Sequence, residues 1–258
     1  MSVIIDSHVH IGGSWMGKVK NPYTPEQMKE ILQSFGVRYA CVSTWDVLND
    51  IERGNADVCA LAKRDPFYIP YVVVCPVHEK DSVEAIRRYV GGEGFKGIKM
   101  HPTANSYRVD SLRVMEPVMK LAAEYDVPLL FHGEDDGYGS PYQFAALAEA
   151  FPECKIIVAH MCHGQWFDAI EVCRAHGNIW LDTAECSPHN FKMERAIRLC
   201  GPEKIIFGTD TPVTDVGAHL AIFDNINTYY PGTLTREGCD LIMAGNIAKL
   251  LKMEIELG

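Results

Sequence analysis

Apolar runs recur along the chain at near-even spacing. They are VIIDSH (3–8), VRYACVST (37–44), YIPYVVVC (68–75), FKGIKMH (95–101), VPLLFH (127–132), CKIIVAH (154–160), NIWLDT (178–183) and KIIFGT (204–209), beginning roughly every 25 to 35 residues. They are apolar on both faces, as strands of a parallel sheet covered by helices must be. Between them lie stretches of helical period, among them TPEQMKEILQSF (24–35), SLRVMEPVMKLAAEY (111–125) and SPHNFKMERAIRLC (187–200). Thr24-Pro25 and Ser187-Pro188 each set a cap residue before proline at the first helical position. Eight strand–helix units in 258 residues predict a (β/α)8 barrel, a single domain over 1–258. TREGCDLIMAGNIAKLLKM (235–253) reads as a C-terminal helical extension that closes it. An open doubly wound sheet would carry a Gly-rich phosphate turn after its first strand, where this chain has HVHIGGSW.

The polar residues of these runs gather at their ends. Strand one closes on Asp6, His8 and His10, spaced two apart and so predicted to share one face. Strand four ends on Lys99 and His101, strand five on His132, strand six on His160, and strand eight on Asp210. In a barrel, catalytic groups come from the C-terminal ends of several strands. His8 and His10 sit about 6–7 Å apart along one strand, within reach of one ion. His132 and Asp210 would arrive from across the mouth, and neutral imidazoles with a carboxylate suit zinc or a similar divalent ion.

Composition narrows the partners. The net charge of −10 argues against nucleic acid, which needs a basic surface. No secretory leader and no apolar run long enough for a bilayer are visible, so a cytoplasmic protein without membrane attachment is expected. The nine cysteines are scattered and form no Cys-x-x-Cys pair, which reads as reduced thiols filling the core.

DSHVH, GFKGIKMHP, PLLFHGE, IIVAHMCHG, IWLDTA and IIFGTDTP together resemble the amidohydrolase superfamily. The closer likeness is to the amidohydrolase-2 branch, which includes aminocarboxymuconate-semialdehyde decarboxylase and related hydrolases and lyases. The likeness runs in order from residue 3 to about 252, through the final GNIAKLLKM. It implies a metal set of His8, His10, His132 and Asp210, with His160 and Asp210 as the acid–base pair. Asp6 is expected to orient a ligand imidazole. One divalent ion, zinc, is expected; a second ion bridged by a carboxylated Lys99 is the alternative.

The implied activity is hydrolysis of an amide, ester or lactone carbonyl in a small organic substrate by a metal-activated water. The alternative is a metal-dependent, non-oxidative decarboxylase of a small unsaturated or aromatic acid. Lys99, His101 and Arg108 are candidate substrate contacts, Arg108 as a carboxylate anchor by its planar fork. A nuclease of the same opening motif would place a glutamate where this chain has Lys99 to His101. Trp15 and Trp45 fall in loops over the mouth, while His163 and the acidic run Glu134 to Asp136 read as solvated surface. The expected partner is a small molecule, and homodimers are common among such barrels.

Overall fold

The computed structural model describes residues 3–15, 19–48, 50–186 and 189–255. The eight apolar runs form parallel strands: β1 (Ile4–Ile11), β2 (Val37–Thr44), β3 (Tyr68–Val73), β4 (Gly97–Met100), β5 (Leu129–Phe131), β6 (Ile156–Val158), β7 (Ile179–Asp182) and β8 (Ile205–Ile206). They pair in chain order. The last returns to the first: Ser7 N–H donates to Phe207 O at 3.0 Å, Asp210 N–H to His8 O at 2.8 Å and His10 N–H to Thr211 O at 2.8 Å. The result is the (β/α)8 barrel that the spacing predicts.

A helix of at least eight residues follows each strand: α1 (Pro25–Ser34), α2 (Ile51–Arg64), α3 (Glu79–Ile86), α4 (Leu112–Tyr125), α5 (Pro141–Ala150), α6 (Trp166–Ala175), α7 (Asn190–Cys200) and α8 (Val216–Tyr229). The Thr24 signal works as read. Gln27 N–H donates to Thr24 Oγ1 at 3.2 Å, and Thr24 N–H donates back to Gln27 Oε1 at 2.9 Å. Ser187 and Pro188 lie outside the described residues, and α7 begins at Asn190.

Outward-facing Val42, Ile98, Leu129 and Ile156 are fully buried under the helices, each contributing about 1.5–3 kcal/mol. A second apolar cluster fills the barrel. Ile5, Ile69, Leu130, Ile157 and Ile206 pack there against Ala244, Ile247 and Leu250 of the C-terminal helical segment. That segment therefore plugs the end where the strands begin, and the other end is left to the polar residues. All nine cysteines are free thiols, seven of them buried. No helix among the described residues is long and apolar enough to cross a membrane.

Candidate metal centre and active-site pocket

The pairing of β1 with β2 slips by one residue between Asp6 and Val9. Such a bulge re-aims side chains and breaks strict alternation. Asp6 accordingly does not orient an imidazole. Its carboxylate accepts from His8 N–H at 3.2 Å, Thr209 N–H at 3.0 Å and the Thr209 hydroxyl at 2.7 Å, tying β1 to the chain after β8. Burial pushes this carboxyl up to about 7.

Past the bulge, His8 and His10 point together into the mouth. Their Nε2 atoms are 3.2 Å apart, and Asp210 Oδ1 lies 3.4 Å from the first and 3.1 Å from the second. Asp210 Oδ1 is buried without a hydrogen-bond partner. The far nitrogens are already engaged: His8 Nδ1 is 2.8 Å from Asp182 Oδ2, and His10 Nδ1 is 3.0 Å from Ser43 Oγ. With Asp182 ionised, its carboxylate can only accept, and His8 then carries its proton on Nδ1 and turns a lone pair inward.

Three electron-pair donors thus converge at separations matching the edge of a tetrahedron. Ligands at 2.0–2.1 Å from one ion stand about 3.3–3.4 Å apart. The donor set fits a divalent cation, and the orphaned Asp210 oxygen is the clearest sign of it. Asp182 is the residue that sequence reasoning missed. It is fully buried, its carboxyl raised to about 7 by burial, and its other oxygen accepts from His160 N–H at 2.8 Å and Ala184 N–H at 3.1 Å. The available signal was NIWLDT itself, an apolar strand closed by one acid.

His132 and His160 form a second group with His163. His160 Nε2 faces His132 Nδ1 at 3.1 Å, while His132 Nε2 lies 3.2 Å from Glu134 Oε2. That bond pulls the Glu134 carboxyl down to about 2. His163 is not solvated surface. It stacks on His160 with ring centroids 4.6 Å apart and lies 3.4 Å from Glu185 Oε2. Burial holds His8, His132 and His160 below the ordinary imidazole range, favouring the neutral form that ligates.

Lys99 stands beside the first group, its Nζ 2.8 Å from His8 Nε2, and burial lowers it to about 8. His101 stacks on His132 at 3.8 Å and caps the one-turn helix Pro102–Asn105 by accepting from Ala104 N–H at 3.2 Å. Arg108 is not brought to the site: it is exposed and grips Asp110 with two bonds of 2.9 and 2.7 Å. Asp136 of the acidic run is also engaged in the loop, accepting from Tyr138 N–H at 2.7 Å and the Thr103 hydroxyl at 2.8 Å.

The segment carrying His160 is unusual. His160, Met161 and Cys162 have φ of 60°, 49° and 53°, a left-handed turn without glycine. Each such residue costs about 1–2 kcal/mol, so the surroundings must impose the conformation.

Above these groups opens a cavity of ≈ 510 Å³, ordinary for a small-molecule site. His8, His10, Lys99, His132, His160 and Asp210 form its floor, and Val19, Pro22, Trp45, Pro212 and Val213 its apolar walls, with Lys20 and Glu185 also lining it. The side chain of Trp15 lies outside the described residues.

The chain resembles known proteins in sequence and in fold. A dihydroorotase from Buchnera aphidicola subsp. Schizaphis graminum is 27% identical over 138 residues, which span 48% of this chain and only 38% of that enzyme. Among solved structures, 2,6-dihydroxybenzoate decarboxylase from Rhizobium superposes with a TM-score of 0.77 at 14% identity, covering 98% of this chain and 99% of that one. 5-Carboxyvanillate decarboxylase from Sphingomonas paucimobilis gives 0.76 at 14% identity over 98% and 99%. A dihydroxybenzoic acid decarboxylase from Polaromonas sp. JS666, with bound manganese and the inhibitor 2-nitroresorcinol, gives 0.78 at 14% over 98% and 97%. These likenesses carry the barrel. The sequence profile of the amidohydrolase family matches residues 5–253: the chain belongs to the amidohydrolase family, in its amidohydrolase-2 branch.

Proposed function

We propose that the protein is a metal-dependent, non-oxidative decarboxylase of a small aromatic or unsaturated carboxylic acid. The observation that carries this reading is the floor of the cavity, where a donor triad and a buried imidazole lie under apolar walls suited to a planar ring. His8, His10 and Asp210 would hold one divalent cation, while His132 is turned to His160 and Glu134; nitrogen and oxygen ligands suit zinc or manganese. Bound there, the cation would supply Lewis-acid polarisation of a substrate oxygen.

The remaining work falls to this chain's own residues. Trp45, Pro22 and Val213 exclude water from one face of the ring. Lys99 sets a positive charge beside the substrate's oxygens. His160, neutral at rest, takes up a proton and passes it from Nε2 to the ring carbon as that carbon's bond to the carboxylate breaks and carbon dioxide leaves. The similar solved structures named as decarboxylases support this reading over hydrolysis. Hydrolysis of an amide, ester or lactone carbonyl is the second reading, favoured by the sequence match to a dihydroorotase.

The test is incubation of zinc- or manganese-loaded protein with 2,6-dihydroxybenzoate and related hydroxybenzoates in D2O. Release of carbon dioxide, with one deuterium at the vacated carbon, is expected. Opening of lactones or cyclic amides, with no carbon dioxide from any acid, would transfer the protein to the hydrolases.

A further inference from the structure

Helix α7 carries a lysine where a core residue belongs. Lys192 is only 6% exposed, and its Nζ donates to the main-chain carbonyl of His160 at 2.8 Å. Among the described residues it forms no ion pair; Cys162, Cys186 and Glu185 are its other polar neighbours. A buried ammonium is costly to desolvate, and a neutral carbonyl offsets that less than a carboxylate would. A leucine or methionine would pack there without this cost.

The carbonyl it holds accounts for the lysine. His160 opens the left-handed turn, and its peptide groups are gripped from both sides. Its N–H donates to the buried Asp182 carboxylate at 2.8 Å, and its C=O accepts from Lys192. Two buried polar side chains, an acid from β7 and a lysine from α7, pin a single residue whose backbone is strained. We infer that Lys192 is a positioning residue that holds the His160 turn in its left-handed conformation and so aims the His160 ring at the floor of the pocket. The effect on turnover rests on the acid–base role given to His160; the effect on the ring rests on geometry alone.

The experiment uses zinc-loaded protein labelled with 15N-histidine. Imidazole nitrogen–proton correlations are recorded, with His160→Gln identifying the His160 signals. Lys192→Met should move or broaden the His160 signals while those of His8 and His10, and the zinc content, stay as in the parent. Lys192→Arg, which keeps a charged donor, should return them towards the parent positions. Cys162→Gly accepts the left-handed conformation at φ 53° without strain. In that background the effect of Lys192→Met should shrink, and the comparison is made there if Lys192→Met alone does not fold. With an active substrate, kcat should fall about 10- to 100-fold with KM within about twofold.

Unchanged His160 signals in folded Lys192→Met would overturn the inference. So would a shift of all histidine signals together, or an arginine variant no closer to the parent than methionine. Because the spectra need no substrate, they decide the point even if no acid is decarboxylated.

Discussion

Asp182→Asn is the perturbation that separates orientation of a ligand from the ligand itself. Asparagine keeps the size of aspartate and one carbonyl oxygen. That oxygen is expected to stay on the amides of His160 and Ala184, which the carboxylate now accepts at 2.8 and 3.1 Å. The amide NH2 then falls where Asp182 Oδ2 meets His8 Nδ1 at 2.8 Å, donor facing donor. His8 relieves the clash by moving its proton to Nε2, the nitrogen 3.2 Å from His10 Nε2 that should be the metal ligand. Loss of such a partner costs about 10- to 100-fold in metal affinity, or about 1.4–2.7 kcal/mol. Removing a buried carboxyl already raised to about 7 should leave the metal-free fold no less stable. The assay is zinc competition against a chromophoric chelator, with thermal melting of the metal-free protein alongside. A variant that binds zinc within about threefold of the parent would show that Asp182 does not set the His8 tautomer.

The other predictions are simpler to state. His160→Ala should keep its metal while turnover falls by about 10²- to 10⁴-fold, whereas His8→Ala should lose both; metal analysis beside a rate assay decides. Gly133→Ala should destabilise the protein by about 1–3 kcal/mol in denaturant unfolding, because an added Cβ would come within 2.5 Å of the Ala159 carbonyl. Arg108→Ala should leave metal affinity and turnover unchanged and barely move the unfolding midpoint at neutral pH. The Arg108 fork holds the Asp110 carboxyl below its ordinary 3.8. The pair's contribution is therefore complete above that value and is lost as pH falls through the lowered folded value, so melts of the parent and Arg108→Ala should converge in strong acid.

Much of the barrel was legible because each strand is a short apolar run whose period and spacing need no tertiary information. The strand-end histidines were legible for a related reason: a polar group that closes a buried run is costly to desolvate unless it binds something there. What escaped depends on contacts the chain makes at long range. Asp182 meets His8 across 174 residues, and Lys192 sits in a helix where a lysine ordinarily reads as solvated face. The left-handed turn at His160 has no glycine to announce it, so His163 looked like surface. Asp6 was misassigned because alternation was assumed through a bulge that one strand alone does not reveal. Arg108 reads as a carboxylate anchor, and the carboxylate it anchors is Asp110, two residues away.

The proposed chemistry turns on one divalent ion held at the mouth of the barrel between His8, His10 and Asp210. Anomalous diffraction at the zinc edge from crystals of protein purified without added metal tests it most directly. One peak per chain is expected, about 2.0–2.2 Å from His8 Nε2, His10 Nε2 and an Asp210 oxygen. Two peaks bridged by density on Lys99, or a single peak on the His132, His160 and His163 group with none at the triad, would contradict it.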